Sequence, residues 1–365
     1  MGAEAGQPLV PVAEGSTTAP LRIVHLADTP GRGGIHTVIE ALQQSQAATG
    51  RHSVQCTGPG VGALRRYRAD VILLHAASRW QRLPWLVCLR LLNPRARLIL
   101  HEHHYTADAE QRAPSRVRLH ALLRASYRLV DAVVAVSRAQ GDWLRERRLL
   151  PDNRLHVIPP CRDLAGFRQV ALPDFGRPLV LGAYGRLHRQ KGFDLLIDAL
   201  RRLAPGSVYL LIGGSGPEEA ALRRRAAELP CVEFTGALDD VPAFLARCDI
   251  VVVPSRYEPY GLVCLEARAA GRPVVVSAVD GLPEQLADCG LAVPPGDSVA
   301  LAGALESLVK QPLPFWAVNA RISTLGAWTR YQAAWQSLLL NKAKENLIMS
   351  SFGAELSQDP ESSSC

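Results

Sequence analysis

The sequence contains very little lysine and no long apolar segment. Only four of its 365 residues are lysines, and the first of them is Lys191. No apolar run reaches the roughly 20 residues that a membrane-spanning helix needs, which argues against an integral membrane protein. Residues 1–20 carry no basic side chain and lack the apolar stretch of a secretory signal. We therefore expect a cytoplasmic protein that begins with a disordered leader over residues 1–20.

Paired cysteines and several common catalytic signatures are also missing. The eight cysteines are scattered without a C-x-x-C pair, a distribution typical of reduced, mostly buried thiols. The sequence has no D-x-D, H-E-x-x-H, G-x-S-x-G or G-x-x-x-x-G-K-[ST] motif. These absences exclude the usual metal-dependent transferases, zinc proteases, α/β-hydrolases and P-loop NTPases. We expect no bound metal and no cofactor.

Positive charge is concentrated in the first half of the chain. Residues 1–170 hold 23 arginines against 13 acidic residues, a balance of +10, whereas the remainder holds 18 basic and 21 acidic residues, a balance of −3. This asymmetry indicates two domains with different partners, the first of them suited to an anionic surface or to phosphate. The basic half lacks the interleaved aromatic and basic residues of an RNA-binding sheet, so we expect no nucleic acid partner.

Short apolar segments alternate with helix-length segments from Leu21 onward, the pattern of parallel sheets covered by helices on both faces. A proline- and glycine-containing join over residues 170–178 separates two such sets. The pattern predicts an α/β protein with two successive doubly wound, Rossmann-like domains. The predicted strands are 21–27, 69–75, 96–101, 131–137 and 154–160 in the first set, and 179–185, 208–214, 232–236, 249–255, 272–278 and 291–296 in the second.

The end of the chain has a different composition from the two sheets. A helix-length segment carries Trp316, Trp328, Tyr331 and Trp335, which we interpret as packing residues, and the polar end is typical of disorder. The predicted organisation is a leader over 1–20, an N-terminal domain over 21–170, a C-terminal domain over 171–312, packing helices over 313–340 and a disordered tail over 341–365.

A glycine-rich turn follows the first predicted strand. Gly31, Gly33 and Gly34 precede a helix, and backbone amides at such a turn suit an anion. The dinucleotide fingerprint G-x-G-x-x-G fails here, because its third glycine falls on His36. The turn is either a tight strand-to-helix connection or a ligand loop.

Two cations stand where the first strand of the second set ends. Arg186 follows that strand, and Lys191 opens the next helix, so both lie at the carboxyl edge of a parallel sheet, where ligands bind. Together they could neutralise a diphosphate without a metal. Gly213 and Gly214 repeat the order of strand, glycines and helix, and they either bring backbone close to a ligand or only turn the chain.

The segment from Glu258 to Glu266 is the most informative motif. It follows a buried strand and runs into a helix, so the two carboxylates can face one cleft. Amides at Tyr260, Gly261, Leu262 and Val263 would form a helix N-terminus suited to phosphate. Glu266 lies among apolar residues, and a buried acid needs a partner.

These motifs, in this order, resemble the retaining GT-B glycosyltransferases of family four, the group 1 sugar transferases with an E-x7-E motif. The segments that carry the resemblance are GRLHRQKG, GGSGPE, VEFTG and EPYGLVCLE, and it extends from about Leu21 to Leu340. The resemblance implies the GT-B fold, with two Rossmann-like domains facing each other across a cleft. It also implies a nucleoside diphosphate sugar as donor substrate.

The resemblance assigns roles to individual residues. Arg186 and Lys191 would hold the diphosphate and take part in catalysis, and Glu266 would bind the ribose hydroxyls. Glu258, as a catalytic residue, would face the sugar ring together with the amides of Tyr260, Gly261 and Leu262. The loop at Gly33 and Gly34 would approach the phosphates across the cleft, and Gly214 in GGSGPE would also bind the donor. The family's catalytic histidine falls on His103 in LILHEHHYTAD, with His101 and His104 as rivals.

The chain departs from the family at the connection between the domains. Members often read Pro-Asn-Gly-Val-Asp where this sequence has Pro159-Pro160-Cys161-Arg162-Asp163, so the turn must be built differently. Tyr260 stands where phenylalanine is usual.

We therefore predict a retaining, metal-independent hexosyltransferase that uses a hydroxyl acceptor, in cell-surface polysaccharide or glycolipid synthesis. The acceptor would be a glycan or a lipid-linked sugar. The alternatives are a sugar-nucleotide epimerase on the same fold and a degenerate nucleotide-sugar-binding subunit. In residues 79–92 tryptophans and leucines alternate with arginines, which indicates either peripheral contact with the inner face of the cell membrane or an ordinary buried helix.

Overall fold

The computed structural model describes residues 21–27, 34–45, 51–55 and 64–340, with residues 51–55 described by their backbone. The predicted leader over 1–20, the predicted tail over 341–365 and Gly33 of the glycine turn lie outside these residues.

The first half forms a six-stranded parallel sheet in the order β2-β1-β3-β4-β5-β6. Four of its strands, β1, β3, β4 and β5, are mostly apolar and are almost entirely buried, as expected when helices cover both sides. The strands are β1 (Arg22–Ala27), β2 (Arg51–Gln55), β3 (Val71–His75), β4 (Arg97–Glu102), β5 (Ala132–Ala135) and β6 (Leu155–Val157).

Six described helices accompany this sheet. Serine and threonine side chains cap three of them, since Thr106, Ser115 and Ser137 each accept a hydrogen bond from a backbone amide of the first turn. The helices are α1 (Gly34–Gln44), α2 (Leu83–Leu92), α3 (Ala107–Arg112), α4 (Arg116–Arg128), α5 (Arg138–Glu146) and α6 (Ala165–Arg168).

The second half forms another six-stranded parallel sheet, in the order β12-β11-β10-β7-β8-β9. The strands are β7 (Leu179–Tyr184), β8 (Val208–Gly213), β9 (Val232–Gly236), β10 (Ile250–Val253), β11 (Val274–Ser277) and β12 (Gly290–Val293). Its helices are α7 (Phe193–Leu200), α8 (Glu219–Ala226), α9 (Val241–Ala246), α10 (Leu262–Ala269) and α11 (Ser298–Ser307).

Two further helices follow, α12 (Leu313–Ser323) and α13, which occupies residues 327–340. The second of these returns to the first half of the chain, where Trp335 is fully buried and meets the ring of His101 edge-on at 5.2 Å between centroids. The Arg97 guanidinium on β4 donates to the carbonyl of Leu338. One core cluster consequently includes residues from both sheets and from α13.

The prediction of two doubly wound parallel sheets is confirmed. One strand was missed, because β2 (Arg51–Gln55) has the sequence RHSVQ, which contains a single apolar residue and no recognisable run. None of the helices within the described ranges is both long and apolar enough to cross a membrane. The six cysteines in these ranges are free thiols, four of them buried.

Candidate functional site

The second sheet has its switch point between β7 and β10. The chain passes from β7 to β8 on one side and from β9 back to β10 on the other, so the loops after β7 and β10 diverge and leave a crevice at the carboxyl edge. Gly185 and Arg186 follow β7 directly, and Ser255 and Glu258 follow β10. The sequence motifs therefore converge on the place where open α/β sheets bind ligands.

Glycines allow two loops of this crevice to touch through their backbones. Gly214 has φ +126°, and a Cβ there would lie 1.9 Å from the carbonyl oxygen of Gly185. Gly192 has φ +68°, and its Cβ would lie 2.0 Å from the oxygen of Pro254. Any side chain at either position would push the loops apart, so both glycines are required by close packing as well as by conformation.

The two cations of the crevice differ in their surroundings. The Arg186 side chain is exposed and makes no ion pair with another described residue. Lys191 is mostly buried, and its Nζ lies 2.5 Å from Oε2 of Glu258. The same oxygen accepts a hydrogen bond from the Ser255 hydroxyl at 3.2 Å. Lys191 thus has a carboxylate partner before any ligand arrives, whereas Arg186 is available.

Glu258 is held by its backbone as well as by Lys191. Its amide donates to Oδ2 of Asp280 at 3.1 Å. Burial raises the pKa of the Asp280 carboxyl, and a hydrogen bond to Thr106 of the first half opposes that increase. Asp280 therefore connects Glu258 to the opposite domain.

The N-terminus of α10 lies next to Glu258. Gly261 is in the left-handed region with φ +90°. The amide group of Gln285 donates to the carbonyl oxygens of Tyr260 and Gly261, at 2.6 and 3.3 Å. Gln285 fixes the direction of these two peptide groups, and with them the start of α10, whose dipole favours an anion.

Glu266 on α10 has two partners within the described residues. Its Oε1 lies 2.9 Å from Nη1 of Arg162, and its Oε2 accepts from the Tyr184 hydroxyl at 2.9 Å. Burial raises the pKa of Glu266, and the contact with Arg162 opposes this. Arg162 was not predicted as a site residue, although it stands where the connection departs from the family sequence.

The two domains touch along the edge of the crevice. The amide of Arg138, at the start of α5, donates to Glu284 of the second half at 3.0 Å. The guanidinium of Arg112 lies 3.8 Å from the ring centre of Tyr257. A Cβ on Gly281 would lie 2.8 Å from Cβ of Ser137, so the backbones approach closely here.

Four histidines line the carboxyl edge of the first sheet, and we call them the histidine row: His25, His75, His101 and His103. The first three lie on one face of the sheet. His75 pairs with Ala27, which has the same orientation as His25 two residues earlier in β1. The pairing of Leu74 with Leu100 likewise places His101 beside His75. His25 Nδ1 lies 3.1 Å from His75 Nε2, and His75 Nδ1 lies 3.3 Å from His103 Nε2.

The histidine row is buried except at its end. His25, His75 and His101 are fully buried, whereas His103 is partly exposed. Burial lowers the pKa values of His75, His101 and His103, the last of these to about 3, so the rings are neutral at pH 7. His101, His103 and His104 are the sequence candidates for the catalytic histidine, and of these His103 is the partly exposed end of the row. His104 lies across from it, with ring centroids 6.4 Å apart.

The glycine turn of the first half is described only from Gly34 onward. Gly34 begins α1, and a Cβ built on it would meet no atom within 4 Å. Among the described residues, none therefore packs against this position.

An apolar groove of about 610 Å³ lies beside the crevice, where the first domain meets Tyr257. Five of its eleven lining residues are aromatic or basic. They are Trp80, Tyr105, Arg112, Arg118 and Tyr257.

Two family models match the chain. Residues 33–165 match the model described as glycosyltransferase family 4, and residues 178–311 match the model described as glycosyl transferases group 1. The first range includes β2 to β6 of the first sheet, without β1, and the second includes all six strands of the second sheet.

Two curated relatives illustrate the similarity. Mannosylfructose-phosphate synthase of Agrobacterium fabrum (strain C58 / ATCC 33970) is 36% identical over 179 residues, 43% of this chain and 39% of the relative. The 2-deoxystreptamine N-acetyl-D-glucosaminyltransferase of Streptomyces fradiae is 31% identical over 277 residues, 67% of this chain and 64% of the relative. The chain thus spans less than two thirds of the length of both.

Solved structures share the fold. HepE of Anabaena, crystallised with UDP and glucose, has a TM-score of 0.71 at 20% identity, covering 88% of this chain and all of that structure. WaaG, a glycosyltransferase involved in lipopolysaccharide biosynthesis, has a TM-score of 0.65 at 18% identity, covering 88% of this chain and all of that structure. The arrangement of the two sheets is therefore that of GT-B proteins.

Proposed function

Since the chain belongs to the glycosyltransferases of family 4 and group 1, we propose that it transfers a hexose from a nucleoside diphosphate sugar to a hydroxyl acceptor, with retention of configuration and without a metal ion. One observation carries this proposal. Arg186, Lys191, Glu258 and Glu266 lie around the switch point of the second sheet, at the carboxyl edge where open α/β sheets bind ligands.

The cations supply the electrostatic part of the reaction. As the bond between sugar and phosphate breaks, negative charge grows on the departing β-phosphate, and fixed positive groups stabilise it. Arg186 is free to bind the diphosphate at once. Lys191 would move from Glu258 toward the phosphate, and the N-terminus of α10 would add the partial charge of its helix dipole.

Releasing Lys191 also releases the carboxylate of Glu258. That group, held in place by its amide bond to Asp280, can then accept hydrogen bonds from hydroxyls of the sugar ring. Glu266 would accept from the ribose hydroxyls, with Tyr184 holding its other oxygen. The exchange of partners at Lys191 links donor binding to recognition of the sugar.

No side chain is assigned as general base. Glu258 pairs with Lys191 and, in this proposal, binds the sugar. Glu266 is held between Arg162 and Tyr184. A front-face reaction fits this arrangement, because the departing phosphate oxygen can itself accept the proton of the acceptor hydroxyl. Retention follows when attack and departure occur on the same face of the sugar.

The acceptor would bind at the apolar groove beside Tyr257. Aromatic side chains there suit a sugar ring or a lipid chain, and Arg112 and Arg118 suit a phosphate group. The neighbouring α2 presents exposed Leu91 and Leu92, and Trp80 before it is also exposed. A lipid-linked acceptor presented at an anionic membrane surface fits these features and the +10 charge of the first half.

The proposed transfer is tested by incubating the protein with UDP- and GDP-hexoses, each with and without EDTA, and measuring free nucleoside diphosphate. We expect slow hydrolysis of one donor, unaffected by the chelator. Loss of turnover on chelation, restored by Mg²⁺ or Mn²⁺, would contradict metal independence. Interconversion of sugars without release of nucleoside diphosphate would identify the epimerase alternative, and binding without any turnover would identify a binding subunit.

A further inference from the structure

We propose that His75, His101 and His103 form a binding site for one divalent transition-metal ion, with zinc as the expected ion. Each ring offers one nitrogen, and the three nitrogens lie within 4.8 Å of one another. The residues come from two adjacent strands and the loop that follows the second, so the sheet itself fixes their spacing.

The spacing of two of the nitrogens already matches a metal site. His75 Nδ1 and His103 Nε2 are 3.3 Å apart. Tetrahedral zinc binds imidazole nitrogen at about 2.0–2.1 Å, which places two ligand nitrogens about 3.3–3.4 Å apart. A metal could therefore bridge this pair without moving either ring far.

His101 is the residue that most needs an explanation. Its side chain is fully buried, yet neither ring nitrogen has a hydrogen-bond partner among the described residues. Buried polar atoms are normally satisfied, because leaving one without a partner costs about 1–3 kcal/mol. The ring of His101 lies 4.0 Å from that of His103 between centroids. A metal bound to His103 would give His101 the missing partner.

His25 completes the arrangement as an outer partner. Its Nδ1 lies 3.1 Å from Nε2 of His75, the nitrogen that does not face His103. Histidines that bind metals usually form a hydrogen bond through the second ring nitrogen, which fixes the ring and its tautomer. The contact with His25 leaves the Nδ1 lone pair of His75 free to bind the ion.

The ligand set selects the class of metal. Three imidazoles without a carboxylate or thiolate in the group favour zinc, copper, nickel or cobalt over magnesium and calcium. Three protein ligands leave one tetrahedral position for water or another small ligand. His103 is partly exposed, so an ion can enter from that side.

This inference does not rest on the proposed function. The three histidines belong to the first sheet, whereas Arg186 and Lys191, which would neutralise the diphosphate, belong to the second. Metal binding can accordingly be measured on the protein alone, without donor or acceptor, so failure to bind zinc is distinguished from failure to transfer a sugar.

The test uses untagged full-length protein, stripped with EDTA and then desalted. Zn²⁺ binding is measured by calorimetry, and Co²⁺ is added as a spectroscopic probe that shows visible ligand-field bands in a tetrahedral nitrogen site. His101→Phe is the main variant, because phenylalanine fills the buried space without a nitrogen. His156→Phe, on β6 and outside the histidine row, is the matched control. His103→Ala, at the exposed end, provides a second variant less dependent on core packing.

We expect one Zn²⁺ per chain in the unaltered protein and in His156→Phe, with the Co²⁺ bands present and displaced by Zn²⁺. His101→Phe and His103→Ala should each weaken binding by about tenfold or more, and His25→Phe by about 10–100-fold. Absence of binding to the unaltered protein would overturn the proposal. If folded His101→Phe and His103→Ala both bound Zn²⁺ as tightly as the unaltered protein, that result would overturn it as well.

Discussion

Arg162 Nη1 lies 2.9 Å from Oε1 of Glu266, so a residue of the connection between the domains holds a carboxylate of the candidate donor site. The guanidinium also lies 5.3 Å from the ring centre of Phe167 on α6. The connection therefore contributes a charge to the site in addition to joining the sheets.

The contact predicts a pH dependence of nucleotide binding. Burial raises the pKa of Glu266 and Arg162 lowers it, so Arg162→Val should raise that pKa further. Binding of ribose hydroxyls to the ionised carboxylate is present above this pKa and is lost as the pH falls through it. The affinity for nucleoside diphosphate is measured by calorimetry from pH 8 down to pH 5. As the pH falls, we expect this affinity to begin to decline at a higher pH in Arg162→Val than in the unaltered protein. Arg162→Lys keeps the charge and is the control, and coincident profiles for all three proteins would refute the link.

The free cation and the paired cation should both matter for donor binding. Arg186→Ala and Lys191→Ala each remove one charge-assisted contact with the diphosphate, worth about 1.5–3 kcal/mol or roughly 10- to 150-fold in affinity. Arg189→Ala, an exposed arginine of the same loop, is the matched control and should bind normally. Calorimetric titration with UDP and GDP is the measurement. Unchanged nucleotide affinity in both site variants would show that the diphosphate does not bind at this position.

Substitution of the two glutamates should have different effects on nucleotide affinity and on turnover. Glu266→Gln should weaken binding of the nucleoside diphosphate itself. Glu258→Gln should lower kcat while leaving nucleotide affinity equal or raised by up to about tenfold, because Lys191 loses the carboxylate that competes with phosphate. Parallel losses of nucleotide affinity in both variants would show that the roles are wrongly divided.

Much of this site could be predicted from the sequence, because its residues lie next to buried strands. Arg186, Lys191 and Glu258 each follow or flank a strand of the second sheet, and the carboxyl ends of parallel strands meet at one edge. The Lys191–Glu258 pair could not be predicted, since 67 residues separate the two and only the order of β7 and β10 brings them together.

Arg162 and two members of the histidine row, His25 and His75, were missed for a different reason. Arg162 lies in a connection without periodicity, so its direction depends on how the domains pack. The sequence nevertheless indicates the row, because RIVHLA, VILLH and RLILHE each carry one histidine within an apolar strand, and the register of the strands places the three side chains on one face. Three such strands side by side predict three histidines on one face.

Buried histidines should make the protein sensitive to acid. Their pKa values are lowered in the folded state, so their contribution to stability is present above about pH 6.5 and is lost as the pH falls toward the folded values. In EDTA, we expect the free energy of unfolding to decrease below pH 6.5 by up to about 1.4 kcal/mol per pH unit for each histidine. His101→Phe should reduce this slope in urea unfolding, whereas His188→Asn, in the second domain, should not. A slope unaffected by His101→Phe would contradict the assignment.

Membrane contact is testable at the face around Trp80. Its side chain is 51% exposed, and each nearby arginine contributes about 1 kcal/mol at an anionic surface. We expect co-sedimentation with phosphatidylglycerol vesicles at low ionic strength, weakened by salt and by Trp80→Ala. Phe315→Ala removes an aromatic side chain that is 60% exposed in the second half of the chain and is the control. Failure to bind at low ionic strength would favour a soluble acceptor.

The chain passes between the two domains twice, once before β7 and once between α12 and α13. The crossings are joined to each other, because Arg168 donates to the Thr324 carbonyl at 2.9 Å and Arg321 donates to the Val170 carbonyl at 2.5 Å. A body joined to another at two adjacent points can rotate about the line through them and has little freedom to twist or translate. Any opening of the crevice would then have to break the contacts that cross between the domains, such as the one between Arg112 and Tyr257.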